Sequence, residues 1–213
     1  MGVRENQKVM QLFDVHRLCR IIAPDAENPV DREAPFYFMK DARSFAPSGS
    51  VLPYPPGTRD LHHEVELVVA LGAAVFQASP DEAERAVWGY GCGLDMTRRD
   101  RQAEAKEKRR SWDLGKNFEQ SAILSPLVDA ASIGELGHRR ISLSVNGTPR
   151  QEAVLSDMIW SVPELISHLS GYYHLAPGDL IMTGTPAGVG AVVAGDRLTG
   201  GIEGIADISV TYS

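Results

Sequence analysis

The stretch Leu61-His62-His63-Glu64-Val65-Glu66-Leu67-Val68-Val69-Ala70-Leu71-Gly72 limits the fold of this chain more sharply than any other. Residues 64–70 form a β-rich run closed by Gly72. On a strand side chains alternate, so Glu64 and Glu66 face one side while Val65, Leu67 and Val69 face the other. Two carboxylates placed side by side repel and raise each other's pKa, and a bridging cation keeps both ionised in a cleft. The plain alternative is an edge strand whose acidic face lies in water, and Glu-x-Glu alone favours it. His62 shares the face of Glu64, and His63 has the opposite parity. For both, a hydrogen-bonded structural histidine is the first reading.

Asp95 changes the weighing. It follows an apolar, Gly-containing strand and precedes a charged helix, a position where β-rich enzymes present functional side chains. By itself it is a plain N-cap before Thr97. Together, Glu64, Glu66 and Asp95 supply an all-oxygen site that suits Mg²⁺ or Mn²⁺, with water or substrate in the remaining positions. Zinc prefers nitrogen and sulfur. Cys19 and Cys92, the chain's two cysteines, form no CxxC or Cys/His cluster, which fits a reducing cytosol and a cytoplasmic location.

The 213 residues suffice for a core without staples, and 20 Gly with 13 Pro argue for many turns and short strands rather than a helical bundle. Residues 1–35 are irregular, with 24–35 a loop rich in Pro and Asp. The run 36–213 is expected to form the main domain. Residues 36–40 make a short aromatic strand. Ser79-Pro80-Asp81-Glu82 is a capping box that opens a helix ending near Trp88. Residues 89–94 form a strand and 96–110 a charged helix. Ile141, Leu143 and Val145 alternate up to Asn146-Gly147, a hairpin signal. Ser161-Val162-Pro163-Glu164 opens a helix through Leu169, and strands follow at 179–182 and 205–212 around a Gly-rich stretch. The pattern is a β-rich α+β fold with a few short helices.

A formal net charge of −7 opposes binding to nucleic-acid phosphates and to anionic membranes. Lys106, Lys108, Arg109 and Arg110 interleave with Glu104 and Glu107 as a solvated helix face. The longest apolar stretch, 67–76, is well short of the roughly 20 residues a bilayer span needs. Gly184-Thr185-Pro186-Ala187-Gly188-Val189-Gly190 lacks the Lys-Ser/Thr of a phosphate loop, leaving a tight turn or a backbone-lined pocket wall.

From about Phe36 onward the chain resembles the fumarylacetoacetate hydrolase family. The resemblance is carried by LHHEVELVVALG (61–72), GLDMTRRDRQAEAK (93–106), WDLGKNF (112–118), VNGTPRQ (145–151), SDMIWSVPELI (156–166) and GDLIMTGTPAGVG (178–190). Several motifs in the right order and spacing make it highly specific. It implies a mixed β-sandwich roll, commonly a homodimer, with no nucleotide cofactor. It also implies that Glu64, Glu66 and Asp95 hold Mg²⁺ or Mn²⁺, that Lys116 reaches into the metal site as a catalytic and substrate-binding residue, and that Arg99, Gln102 and Thr185 meet the substrate.

The implied reaction is hydrolytic C–C cleavage of a 3-acylpyruvate, as when fumarylpyruvate yields fumarate and pyruvate in aromatic catabolism. The chain departs from the family where a His-x-x-Glu lid dyad is expected. It runs Val15-His16-Arg17-Leu18-Cys19-Arg20-Ile21-Ile22-Ala23-Pro24-Asp25-Ala26-Glu27, a shortened lid region without that motif, so the general base is unassigned. The lid segment is either absent from the chain or lost in this member. The departure leaves two alternatives open: oxaloacetate decarboxylation or keto–enol isomerisation, in which no water is activated, and a degenerate homologue that binds without turnover.

Overall fold

The glutamate-bearing run becomes the strand Val65–Leu71, which pairs antiparallel with Val87–Asp95 in the register Val65 to Leu94 and Glu66 to Gly93. The computed structural model that shows this describes residues 18–22 and 34–213. All seven residues of Val65–Leu71 are buried, so neither face meets water. Val65, Leu67, Val69 and Leu71 enter the main core, and Val68 and Ala70 enter a second apolar cluster with Ala122, Leu124, Leu180 and Met182. The edge-strand reading of Glu-x-Glu is thereby excluded.

Among the described residues three sheets form, of eight, five and three strands. The largest runs in the order Phe36–Lys40, Leu18–Ile22, Leu180–Met182, Val65–Leu71, Val87–Asp95, Ala122–Leu124 and Phe45–Pro47, with Val128–Asp129 paired to Val87–Asp95. The five-stranded sheet runs Thr148–Val154, Arg140–Val145, Arg197–Ile202, Ala206–Tyr212 and Ser50–Leu52. Ile141, Leu143, Val145, Leu198, Ile202, Ile208 and Val210 of that sheet share the main core with Val65, Leu67 and Val69, so the core lies between two mixed sheets. This is the expected β-rich α+β architecture. The third sheet joins Gly190–Val192, Leu61–His63 and Thr97–Arg98. The chain leaves that sheet at His63 and enters the large one at Val65, with Glu64 at the crossing point.

Local signals act as their chemistry requires. The Ser79 hydroxyl accepts from Glu82 N while the Glu82 carboxylate accepts from Ser79 N, capping the helix Pro80–Arg85, and at Val162–Ser170 the Glu164 carboxylate likewise accepts from Ser161 N. Asn146 and Gly147 have φ of 51° and 77° and close the two-residue hairpin between Val145 and Thr148.

Three expectations are corrected. The first helix stops at Arg85, because Val87 already pairs with Leu71. The charged helix begins at Arg99 rather than residue 96, because Thr97 and Arg98 are drawn into pairing with His62 and Leu61. Residues 1–35 are not irregular throughout, since Leu18–Ile22 lies between Phe36–Lys40 and Leu180–Met182 with backbone partners on both sides. The rest of the segment expected to carry a lid dyad, with His16 and Glu27, lies outside the described residues. No described helix is long and apolar enough to cross a membrane.

Sheet contact in the five-stranded layer depends on Gly200, where an added Cβ would stand 2.2 Å from the Ser142 carbonyl oxygen and 3.0 Å from Leu143 Cα. Both obstacles include backbone. Gly200→Ala is expected to cost about 1–3 kcal/mol, read as a lower urea midpoint at unchanged slope.

Candidate metal centre

Strand pairing brings the three acids together. The register that sets Glu66 opposite Gly93 also sets Glu64 opposite Asp95, and Asp95 N donates to Glu64 O at 2.8 Å. Residues opposite one another in an antiparallel pair share a face. Glu64, Glu66 and Asp95 therefore converge, each offering a carboxylate oxygen within 4.8 Å of the others, and all three are buried. Gly93, opposite Glu66, leaves its side-chain space to Val68 and Met182, whose atoms would stand 2.7 and 2.8 Å from an added Cβ. An all-carboxylate set of this kind fits a hard divalent cation that takes oxygen ligands.

Burying carboxylates costs on the order of several kcal/mol each unless cations and donors answer them. Lys116, 1% exposed at the end of the short helix Asp113–Lys116, directs its ammonium at Glu64 Oε2 (2.8 Å), Asp95 Oδ2 (3.1 Å) and the Thr97 hydroxyl. Each of its three N–H donors thus meets an oxygen. Lys40, 3% exposed, reaches Asp95 Oδ1 at 2.9 Å and also donates to Ser121 Oγ (2.7 Å) and the Lys116 carbonyl. One buried lysine thereby neutralises a carboxylate and fixes the backbone of the other lysine.

Arg99, half-buried, is held at three points: Nη2 to Glu64 Oε1 at 2.7 Å, Nη1 to Gln102 Oε1 at 2.6 Å, and Nε to His62 Nδ1 at 3.4 Å. His62 Nε2 meets Asp60 Oδ1 at 2.8 Å. On the other side, Gly184 N donates to Glu66 Oε2 at 2.8 Å and the Thr185 hydroxyl donates to Val65 O at 2.8 Å. His63 points away from the carboxylates, and its Nδ1 lies 2.8 Å from Gln151 Oε1. Burial holds the His63 imidazole below its usual pKa, with the Gln151 hydrogen bond acting in the opposite direction.

The structure thus joins Glu64, Glu66, Asp95 and Lys116 directly, with Arg99 on Glu64 and Gln102 on Arg99, while Thr185 follows the Gly184 amide that meets Glu66 and turns its own hydroxyl to Val65 O. It adds Lys40 and Thr97 to the cluster and Gln151 behind it, on His63 and the Thr185 loop, three residues that sequence reasoning missed. Lys40 carried a signal, since it alternates with Phe36 and Phe38 on one strand face, and the Phe38 ring centroid lies 5.2 Å from the Lys116 ammonium. Gln151 carried none beyond its place in VNGTPRQ.

Known proteins share the fold and much of the sequence of this chain. The family model described as Fumarylacetoacetate (FAA) hydrolase C-terminal matches residues 10–211. Fumarylpyruvate hydrolase of Ralstonia sp is 48% identical over 185 residues, covering 86% of this chain and 96% of the relative. Oxaloacetate tautomerase FAHD1 of Rattus norvegicus is 44% identical over 171 residues, covering 80% of this chain and 77% of the relative. The crystal structure of fumarylpyruvate hydrolase from Pseudomonas aeruginosa in complex with Mn²⁺ and pyruvate superposes with a TM-score of 0.89 at 42% identity, covering 97% of this chain and 93% of that one.

The paired lysines generate a stability test. Lys40→Met strips a cation from buried Asp95 and is expected to cost the metal-free protein about 3–5 kcal/mol in urea unfolding. A loss below about 1 kcal/mol would show that Lys116 alone compensates Asp95.

Proposed function

The chain belongs to the fumarylacetoacetate hydrolase family, and from that premise we propose that it is a divalent-metal-dependent enzyme that hydrolyses a C–C bond of a 3-acylpyruvate, converting fumarylpyruvate to fumarate and pyruvate. The observation that carries the reading is the set of three buried carboxylates on one sheet face with the Lys116 ammonium among them. Glu64, Glu66 and Asp95 would hold Mg²⁺ or Mn²⁺. Such an ion, when bound, supplies Lewis-acid charge to the 2-oxo and carboxylate oxygens of the substrate.

The reaction defines what the chain's own residues must do. Water oxygen bonds to the acyl carbonyl carbon, the bond from that carbon to the pyruvyl methylene breaks, and its electron pair enters the pyruvate enolate. A proton then returns to the methylene carbon. Lys116 holds a fixed positive charge beside the position where the enolate develops, and preorganised charge of this kind acts without reorganising during the step. Arg99, clamped by Glu64, Gln102 and His62, presents its guanidinium to a substrate carboxylate. Thr185 and the backbone of the Gly-rich loop form the opposite wall. The assembly that accompanies this reading is a cytoplasmic homodimer acting on a small 2-oxo acid, with no nucleic-acid or membrane partner.

A second reading is keto–enol tautomerisation of oxaloacetate, favoured by relatives of that printed name from Rattus norvegicus and from Escherichia coli. Tautomerisation moves a proton at the methylene carbon and requires no activated water, which suits a chain whose segment 15–27 carries no His-x-x-Glu. The two readings separate in one assay of the chain with Mg²⁺ or Mn²⁺ against fumarylpyruvate, acetylpyruvate and oxaloacetate. Turnover of fumarylpyruvate, abolished by a chelator and restored by the ion, is the expected result. Tautomerisation of oxaloacetate with both acylpyruvates untouched would replace the first reading by the second.

Lys116→Ala at saturating Mn²⁺ is expected to lower kcat by about 10²–10³-fold. Its Mn²⁺ affinity should stay level or tighten, because the ammonium competes with the ion for Glu64 and Asp95. Weaker Mn²⁺ binding in this variant, measured by calorimetry, would mean that Lys116 supports the site structurally instead.

A further inference from the structure

Gln151 lies on Thr148–Val154, in the five-stranded sheet, and is 1% exposed. Both ends of its amide are engaged. Oε1 accepts from His63 Nδ1 at 2.8 Å and from Val65 N at 3.2 Å, while Nε2 donates to Thr185 Oγ1 and to the Pro186 carbonyl, each at 2.8 Å. The amide cannot be turned round, because the Val65 N–H requires an acceptor and the Pro186 carbonyl requires a donor. Two consequences follow. His63 carries its proton on Nδ1. The Thr185 oxygen receives a proton from Gln151 and gives its own to Val65 O at 2.8 Å.

The loop that Gln151 grips is the one that holds a metal-site carboxylate. Gly184 N donates to Glu66 Oε2 at 2.8 Å, one residue before Thr185. The loop also packs directly on the strand carrying Gln151: at Gly188, with φ of +96°, an added Cβ would stand 2.0 Å from the Arg150 carbonyl oxygen. A single side chain of the five-stranded sheet therefore reaches the strand that bears Glu66 and the loop that orients it.

We propose that Gln151 is a positioning residue of the metal centre: its amide NH₂ fixes the loop at 183–186 so that Gly184 holds Glu66 ready to ligate and Thr185 faces the substrate with a lone pair. The second part rests on the proposed function. It gives Thr185 a defined role, accepting a hydrogen bond from a hydroxyl-bearing group such as an enol or water, and offering none to a carboxylate. Loss of partners that orient metal ligands in this way typically weakens metal binding or activity by about 10–100-fold.

The test compares Gln151→Glu with Gln151→Ala. Glutamate preserves the oxygen that meets His63 and Val65 N but replaces the donor NH₂ by an oxygen that cannot donate while ionised. The Mn²⁺ dissociation constant, measured by calorimetry or electron paramagnetic resonance, should rise about 10–100-fold in both variants, and kcat should fall at least tenfold. Gln151→Glu with Mn²⁺ affinity and kcat within twofold of the unaltered protein would overturn the proposal, since only the acceptor arm would then matter. A third measurement needs no variant: ¹⁵N spectra of the histidines should show the His63 proton on Nδ1, and a ring carrying its single proton on Nε2 would also refute the assignment. If the unaltered protein leaves acylpyruvates intact, the reaction reading fails, whereas Mn²⁺ affinity and the His63 tautomer still decide the role of Gln151.

Discussion

The rest of the site depends on one electrostatic constraint, three carboxylates buried on a single face of a sheet. Coulomb repulsion among them is not screened by water, so each must be answered locally. Lys116 bridges Glu64 and Asp95, Lys40 takes the second oxygen of Asp95, Arg99 takes the second oxygen of Glu64, and Glu66 receives a backbone N–H from Gly184. The helices and loops around the central strand pair are placed where they can supply these partners. The short helix Asp113–Lys116 delivers an ammonium, the helix Arg99–Glu107 delivers a guanidinium at its first residue, and the Gly-rich loop delivers an amide. A divalent cation entering such a site meets acids already aligned, and it competes with the lysine for two of them.

What was legible in the sequence were the features governed by near neighbours. Strand parity put Glu64 and Glu66 on one face, serine and glutamate three apart announced two capped helices, and Asn146-Gly147 announced a hairpin. Asp95 became convincing because a strand followed by a helix ends there. Hidden features were those decided by a distant partner. Nothing in Thr97 itself says that it prefers pairing with His62 to opening a helix. Leu18–Ile22, Gly190–Val192 and Arg197–Ile202 are short strands whose assignment rests on the partners beside them. Gln151 looks like an ordinary surface residue until the fold buries it, and Lys40 is marked only by its alternation with Phe36 and Phe38. Motif resemblance singled out Lys116, Arg99, Gln102 and Thr185, where spacing alone reads a surface lysine, two exposed helix positions and a tight turn or pocket wall.

The crossing of the chain from the small sheet to the large one at Glu64 explains why adjacent histidines have separate duties. His62 belongs to the carboxylate side, where it braces Arg99. His63 faces the five-stranded sheet, where Gln151 receives its proton. One dipeptide thus connects the charged cleft to the layer behind it, and neither imidazole needs to be a ligand for both to matter to its shape.

The contacts that complete the centre also span long stretches of chain: 81 positions between Lys40 and Ser121, 88 between His63 and Gln151, and 118 between Glu66 and Gly184. Such a site cannot form in any local fragment, so it differs from closely spaced metal motifs that gather around their ion while the chain is still unfolded. Contacts of this separation are slow to establish and belong to the late stages of folding. A cation would then recognise only a nearly finished molecule. Its effect would fall on the lifetime of the native state, delaying unfolding by mass action rather than directing the search that precedes it.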